Sequence, residues 1–198
     1  MNTTQVSAGS AASKKAITTH DIVLVGMFGA LLTAVSQISL PMPTGVPITI
    51  QVFGVALVGT VLGWKLGFLS TVVYILLGAV GLPVFANFHG GIQSLMGMTG
   101  GYIMAWPVMA FLSGIHLKTE NKKLNLAAAV VLSLIGLMIV EFAGAFQWSR
   151  LTSEMSLGAI IVYSFVAFIP KDIVITVAAV VVGSQIRKPL VNAGYLKY

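Results

Sequence analysis

The chain of 198 residues contains no cysteine. That excludes disulfides, thiolate metal sites and cysteine nucleophiles, and leaves the redox compartment undetermined. Charge is nearly as scarce, at 8% of residues against about 25% in soluble globular domains. Catalytic signatures are missing as well. Without G-x-x-x-x-G-K-[ST] the chain cannot itself hydrolyse ATP by that route, and without H-E-x-x-H or G-x-S-x-G the usual hydrolase arrangements are absent. His89 has no second histidine or carboxylate at ligand spacing, so no metal is expected. The halves show no obvious repeat of the kind found in many secondary transporters.

Apolar residues take the place of charge: 57% of the chain is hydrophobic and mean hydropathy is +0.97. Such a chain lacks the polar surface to stay dispersed in water and reads as an all-α integral membrane protein of one domain. Residues 1–19, small and polar, read as a flexible leader. The apolar run after them is as long as a span and has no small-residue cleavage site, so it reads as a retained first helix.

Spans need roughly 20 apolar residues. The expected ones are 22–40, 48–62, 66–82, 101–117, 124–148 and 171–186. The last apolar region is cut at "FIPKD", because Pro170 disfavours helix at the residue before it and a Lys-Asp pair has no place facing lipid. Residues 155–169 then become a half-helix or re-entrant piece, and 189–198 a short tail.

In this six-span arrangement Lys14, Lys15, Lys65, Lys118, Lys122, Lys123, Arg187, Lys188 and Lys197 fall on one side, and only Arg150 and Lys171 on the other. The bias puts both termini in the cytoplasm. The net charge of +6 is thus a topology device and needs no nucleic acid to explain it. "PMPTGVP", "GLPVFANFHGGIQSLMGMTGG", "WSRLTSE" and "FIPKD" all lie on the outer face. Irregular backbone at membrane depth survives only when buried in protein or lining a cavity, so a roofed, outward-facing pocket is expected there.

Asp172 is the sharpest candidate. As a helix-start aspartate it is a ready cap, but its place within a long apolar stretch makes it a functional candidate. Lys171 either neutralises it, meets an anionic group, or snorkels to the interface. Asn87 is either a turn residue or, with Asp172, one of two polar groups suited to an amide or urea. Gln51 either bonds a neighbouring helix or faces the pocket. Glu141, in mid-span, reads as a proton site, an interhelical bond or a rim residue. Tyr102, Tyr163, Trp106 and Trp148 fit an aromatic belt, with the two tyrosines also placed to line the pocket. Phe85 supplies an apolar wall, and Gly91 a tight turn or a close backbone approach. Gly26, Ala30, Thr33 and Ala34 share one face of the first helix, and Gly59, Gly63 and Gly67 repeat at four-residue spacing. Such faces serve packing within the bundle or the docking of a partner.

"VPITIQ", "YILLGAVGLPVFANFHGG", "MGMTGGY" and "FIPKD" together resemble the BioY family, the biotin-specific substrate-binding subunits (S-components) of energy-coupling factor transporters, over about residues 20–188. The resemblance implies a six-helix S-component fold in a prokaryotic plasma membrane, with high-affinity biotin binding on the outer side. It implies that transport is driven by a separate membrane coupling protein and two cytoplasmic ATPases, with no cofactor. Ala30 and Ala34 match the family's A-x-x-x-A docking motif. Asn87 and Asp172 match the positions that hold the ureido ring, and Lys171 stands where many members have glycine. Three rival readings follow from the same residues. One is a stand-alone ion-coupled transporter or facilitator using Glu141 and Asp172. The others are an intramembrane enzyme using Glu141 or His89, and a subunit for another vitamin.

Overall fold

The computed structural model describes residues 17–117, 121–153 and 155–196. Most of the expected leader, the "KTE" of the fourth connection with Lys118, and Lys197 lie outside the described residues. Among the described residues the fold is all-helical apart from one two-residue strand pair.

Among the described residues, three helices are long and apolar enough to cross a membrane: α1 (Thr19–Ser36), α6 (Lys122–Leu151) and α8 (Ile169–Asn192). Four more are apolar but shorter: α2 (Gln51–Leu62), α3 (Trp64–Ala79), α5 (Gly100–Ser113) and α7 (Leu157–Ala167). The five-residue α4 (Ile92–Met96) precedes α5. The chain is a multi-pass membrane protein, since every long element is apolar and large hydrophobic side chains such as Leu76, Phe142 and Val174 face outward.

Local chemistry sets the ends of these elements. Thr18 and Asp21 form a reciprocal capping box that starts α1. The first apolar run stops being helical at Ser36, four residues before the expected end at residue 40, because the chain turns into a hairpin. In that hairpin Ser39–Leu40 (β1) pairs antiparallel with Ile48–Thr49 (β2), and the three prolines of "PMPTGVP" sit in its turn. The break before α8 also differs from expectation. The helix begins at Ile169, not after Pro170, and Phe168 is the hinge from α7. Pro170 sits in the first turn, where no intrahelical partner waits for its missing N–H. At the other end α8 runs on to Asn192, through the start of what reads from sequence as a tail.

α2 is the hub. Of its twelve residues only Phe53 escapes full burial, as expected of a helix that is apolar all round and enclosed by others. α1, α3, α5 and α8 pack about it, and α6 lies along α5. Twelve residues rise only about 18 Å, short of the roughly 30 Å hydrocarbon core. The space beyond the N-terminus of α2 is therefore filled by the hairpin and by the α3–α5 connection.

Candidate functional site

A cavity of about 340 Å³ lies at this end, between the hairpin, the α3–α5 connection and the starts of α2, α5 and α8, with α6 as its far wall. Its volume falls in the usual range for small-molecule sites, roughly 300–1,000 Å³.

The connection is shaped by its sequence. Asn87 and Phe88 both take left-handed backbone conformations, with φ 56° and 58°. Asparagine tolerates this region; a bulky residue is held there only by its surroundings. The surroundings do hold it. The Phe88 N–H donates to Gln37 Oε1 (2.9 Å), Gln37 Nε2 donates to the Phe85 carbonyl (3.2 Å), and Ser39 Oγ donates to Asn87 Oδ1 (2.8 Å). The Ser36 hydroxyl and Tyr74 Oη both donate to the Val84 carbonyl. Phe85 is 3% exposed and lies against Gly78, where a methyl group would collide with its ring. On the opposite side Gln147 of α6 donates to the carbonyls of Leu95 and Gly97, both at 2.8 Å, and so holds the α4 segment.

Six of the eight expected ligand residues line the cavity: Gln51, Phe85, Asn87, Tyr102, Lys171 and Asp172. Gln51 meets both of its expectations, lining the cavity while Nε2 donates to Tyr74 Oη (3.2 Å). Asp172, 3% exposed, lies in the first turn of α8, where its charge complements the helix terminus. Lys171 neutralises it: Nζ forms a salt bridge with Asp172 Oδ1 and donates to the Thr49 carbonyl (2.7 Å). One lysine thereby links the start of α8 to the second strand of the hairpin.

Gly91 and Tyr163 are not in the wall. Gly91 adopts φ 88° and donates to the Gly78 carbonyl (2.7 Å), so it serves the turn. Tyr163 sits one layer back, its ring edge-on to Phe168 (5.7 Å) and Trp148 (5.8 Å). The belt reading of two tryptophans is corrected: Trp106 and Trp148 are buried, and Trp106 lines the cavity. Thr49, Gln93, Ser94 and Trp106 are wall residues that sequence reasoning missed. The run "IQSLMGMTG", polar for a membrane segment, is the signal that pointed towards Gln93 and Ser94. Glu141 also reaches the cavity, from α6.

The small-residue face of α1 points outward. Gly26, Ala30 and Ala34 are exposed while Val25, Phe28 and Leu32 are buried, so they do not pack within the bundle. Gly59 and Gly67 do: they lie against one another, and Gly59 lies against α5.

The chain matches the BioY family over residues 8–192. It belongs to that family. It is 39% identical to a probable biotin transporter BioY of Pyrococcus horikoshii over 167 residues, which is 84% of this chain and 96% of the relative. It is 37% identical to the biotin transporter BioY of Thermotoga maritima over 169 residues, 85% of this chain and 96% of the relative. Among solved structures, it resembles the crystal structure of the S-component for biotin from an ECF-type ABC transporter. That match has a TM-score of 0.75 at 29% identity and covers 87% of this chain and 95% of the other. BioY membership and the cavity's position at the polar end of the bundle thus rest on independent observations.

Proposed function

We propose that this chain is the biotin-binding membrane subunit of an energy-coupling factor uptake transporter, a transport protein and not an enzyme. The observation that carries the reading is the cavity itself. Polar groups converge at its hairpin and α8 side, and aromatic walls of Phe85, Tyr102 and Trp106 enclose the rest. Biotin has a ureido ring that needs both donors and acceptors, and a thioether ring and valerate chain that need apolar surface.

In this reading Asn87 and Asp172 hold the ureido ring. The Asn87 oxygen accepts from Ser39, and its NH2 is left to donate to the ureido carbonyl, while Asp172 accepts from N–H. Gln51, Phe85 and Tyr102 complete the wall. Lys171 orients Asp172 and neutralises it. The chain crosses a prokaryotic plasma membrane six times, by α1, α2, α3, α5, α6 and α8 within a single domain. Both termini are cytoplasmic and the cavity faces outward. Lys65, Lys122, Lys123, Arg187 and Lys188 at the end away from the cavity, against Arg150 and Lys171 at the cavity end, support that orientation. Gly26, Ala30 and Ala34 form the face that meets the membrane coupling protein, which works with two cytoplasmic ATPases. No cofactor takes part.

Calorimetric titration of biotin into the detergent-purified protein tests the reading. Wild type is expected to bind tightly and stoichiometrically, and Asn87→Ala to weaken binding by at least about tenfold, or 1.4 kcal/mol. Folded wild-type protein that gives no heat at high micromolar biotin would sink it.

A further inference from the structure

Among the described residues several buried side chains keep a polar atom without a hydrogen-bond partner, and Glu141 is the carboxylate among them. It lies two-thirds of the way along α6, with Val140 beside it in the cavity wall, and is 6% exposed. Its Oε2 is fully enclosed and has no hydrogen-bond partner among the described residues. Behind it a crevice of about 10 Å³ between α6, α7 and α8 is walled by Met138, Phe142, Ile161 and Phe165. Ser164 offers a hydroxyl there, but no hydrogen bond joins it to Glu141. On the cavity side, the Lys171 ammonium is already engaged by Asp172 and by the Thr49 carbonyl.

A buried polar group without a partner is costly, more so at membrane depth where water cannot substitute. The great majority of buried polar groups are satisfied, and each exception calls for an explanation. A helix packing position could have been filled by leucine at no such cost. Carboxyl oxygens accept hydrogen bonds from N–H groups, and the wall that carries Glu141 adjoins the start of α8, with Ile169 sharing the crevice behind it.

We infer that Glu141 is a further ligand-binding and specificity-determining residue. Its carboxyl group, which stands in the cavity wall, accepts a hydrogen bond from an N–H of the ligand's ureido or amide group, so that α6 reads the same polar ring as the hairpin and α8. This deepens the biotin reading and rests on it. The recognition it adds is selective, because a ligand without an N–H at that point leaves the carboxyl oxygen unpaired. Rejection of that kind is stronger than anything an apolar wall provides.

The test compares wild type, Glu141→Leu and Glu141→Gln, each full-length and in detergent, by biotin titration and by thermal melting without ligand. Leucine fills the same space without the polar atoms, whereas glutamine keeps a carbonyl oxygen. Glu141→Leu is expected to melt at the wild-type temperature or above it, and to bind biotin about 10–100-fold more weakly. Glu141→Gln is expected to bind within a few-fold of wild type. A structural role predicts the reverse for leucine, a lower melting temperature with affinity retained, and that result overturns the inference. So does a glutamine variant as weak as the leucine one. Wild-type protein that ignores biotin removes the underlying reading and this inference with it, whereas tight wild-type binding left intact in Glu141→Leu removes the inference alone.

Discussion

Where α2 ends, backbone meets backbone. Gly59 lies against the Ala110 carbonyl and against Gly67, and the Trp64 N–H donates to the Gly114 carbonyl (3.0 Å). The buried Arg187 guanidinium reaches from α8 to the Val61 carbonyl in the last turn of α2. Where α2 begins, the same neighbours stand apart around the cavity, and side chains bridge the gap: Lys171 to the hairpin, Gln51 to Tyr74, Gln147 to the α4 segment. One end has small residues and an arginine that answers the carbonyls at a helix C-terminus, where positive charge is favoured. The other has large aromatics held off by polar props. The contrast shows how a bundle of short apolar helices keeps a pocket open: it closes one end by direct contact, so that the other can be spaced by residues with a second task.

Variants at each end test this division. The largest effect is expected at the open end, where Asp172→Ala removes the proposed ligand acceptor and leaves Lys171 without its counter-charge. Biotin affinity should fall by about 100-fold, read by titration; a loss under threefold would detach the pair from the ligand. At the closed end Gly59→Ala drives a methyl into the Ala110 carbonyl. It should lower stability by about 2–3 kcal/mol in thermal or denaturant unfolding, with biotin affinity unchanged in whatever folds. Arg187→Met, which keeps a long apolar stem but drops the charged donor to Val61, should lower stability by about 2 kcal/mol and leave affinity within twofold. A large affinity change in either closed-end variant would show that the two ends are coupled. The smallest effect is expected on the outward face of α1. Ala30→Leu with Ala34→Leu should alter neither melting nor biotin binding, and should be seen only as lost co-purification with the membrane coupling protein. If the pair instead destabilises the isolated chain, that face packs within the molecule.

Asp172 and Lys171 were legible because charge inside a long apolar run is conspicuous wherever the helix points. Asn87 was legible because it stands in a glycine- and proline-rich break, where the chain must leave the helix. The aromatic residues were not. Trp106 and Trp148 fit a belt, yet both are buried, because lipid and protein core are both apolar and an aromatic residue satisfies either. Gly91 and Tyr163 lie next in sequence or space to wall residues, but one layer behind them. The Thr49 carbonyl that receives Lys171 comes from a strand 122 positions away; every residue has a carbonyl, so none can be singled out from sequence. The hairpin itself escaped notice because two-residue strands have no periodicity to read.

The sequence by itself determined that this is a multi-pass membrane protein with its polar groups gathered at one end of the spans, and it carried enough of the BioY pattern to be assigned to that family. These properties are additive along the chain: run length, the placement of basic residues and local breaks need no knowledge of neighbours. Only the tertiary structure decided which side of each helix faces the cavity, that Lys171 is shared between Asp172 and the hairpin, and that Glu141 looks into the same space without a partner. In a membrane protein both surroundings of a helix are apolar. The direction of a side chain is therefore fixed by which helix packs beside it, and the sequence of a single helix does not encode that.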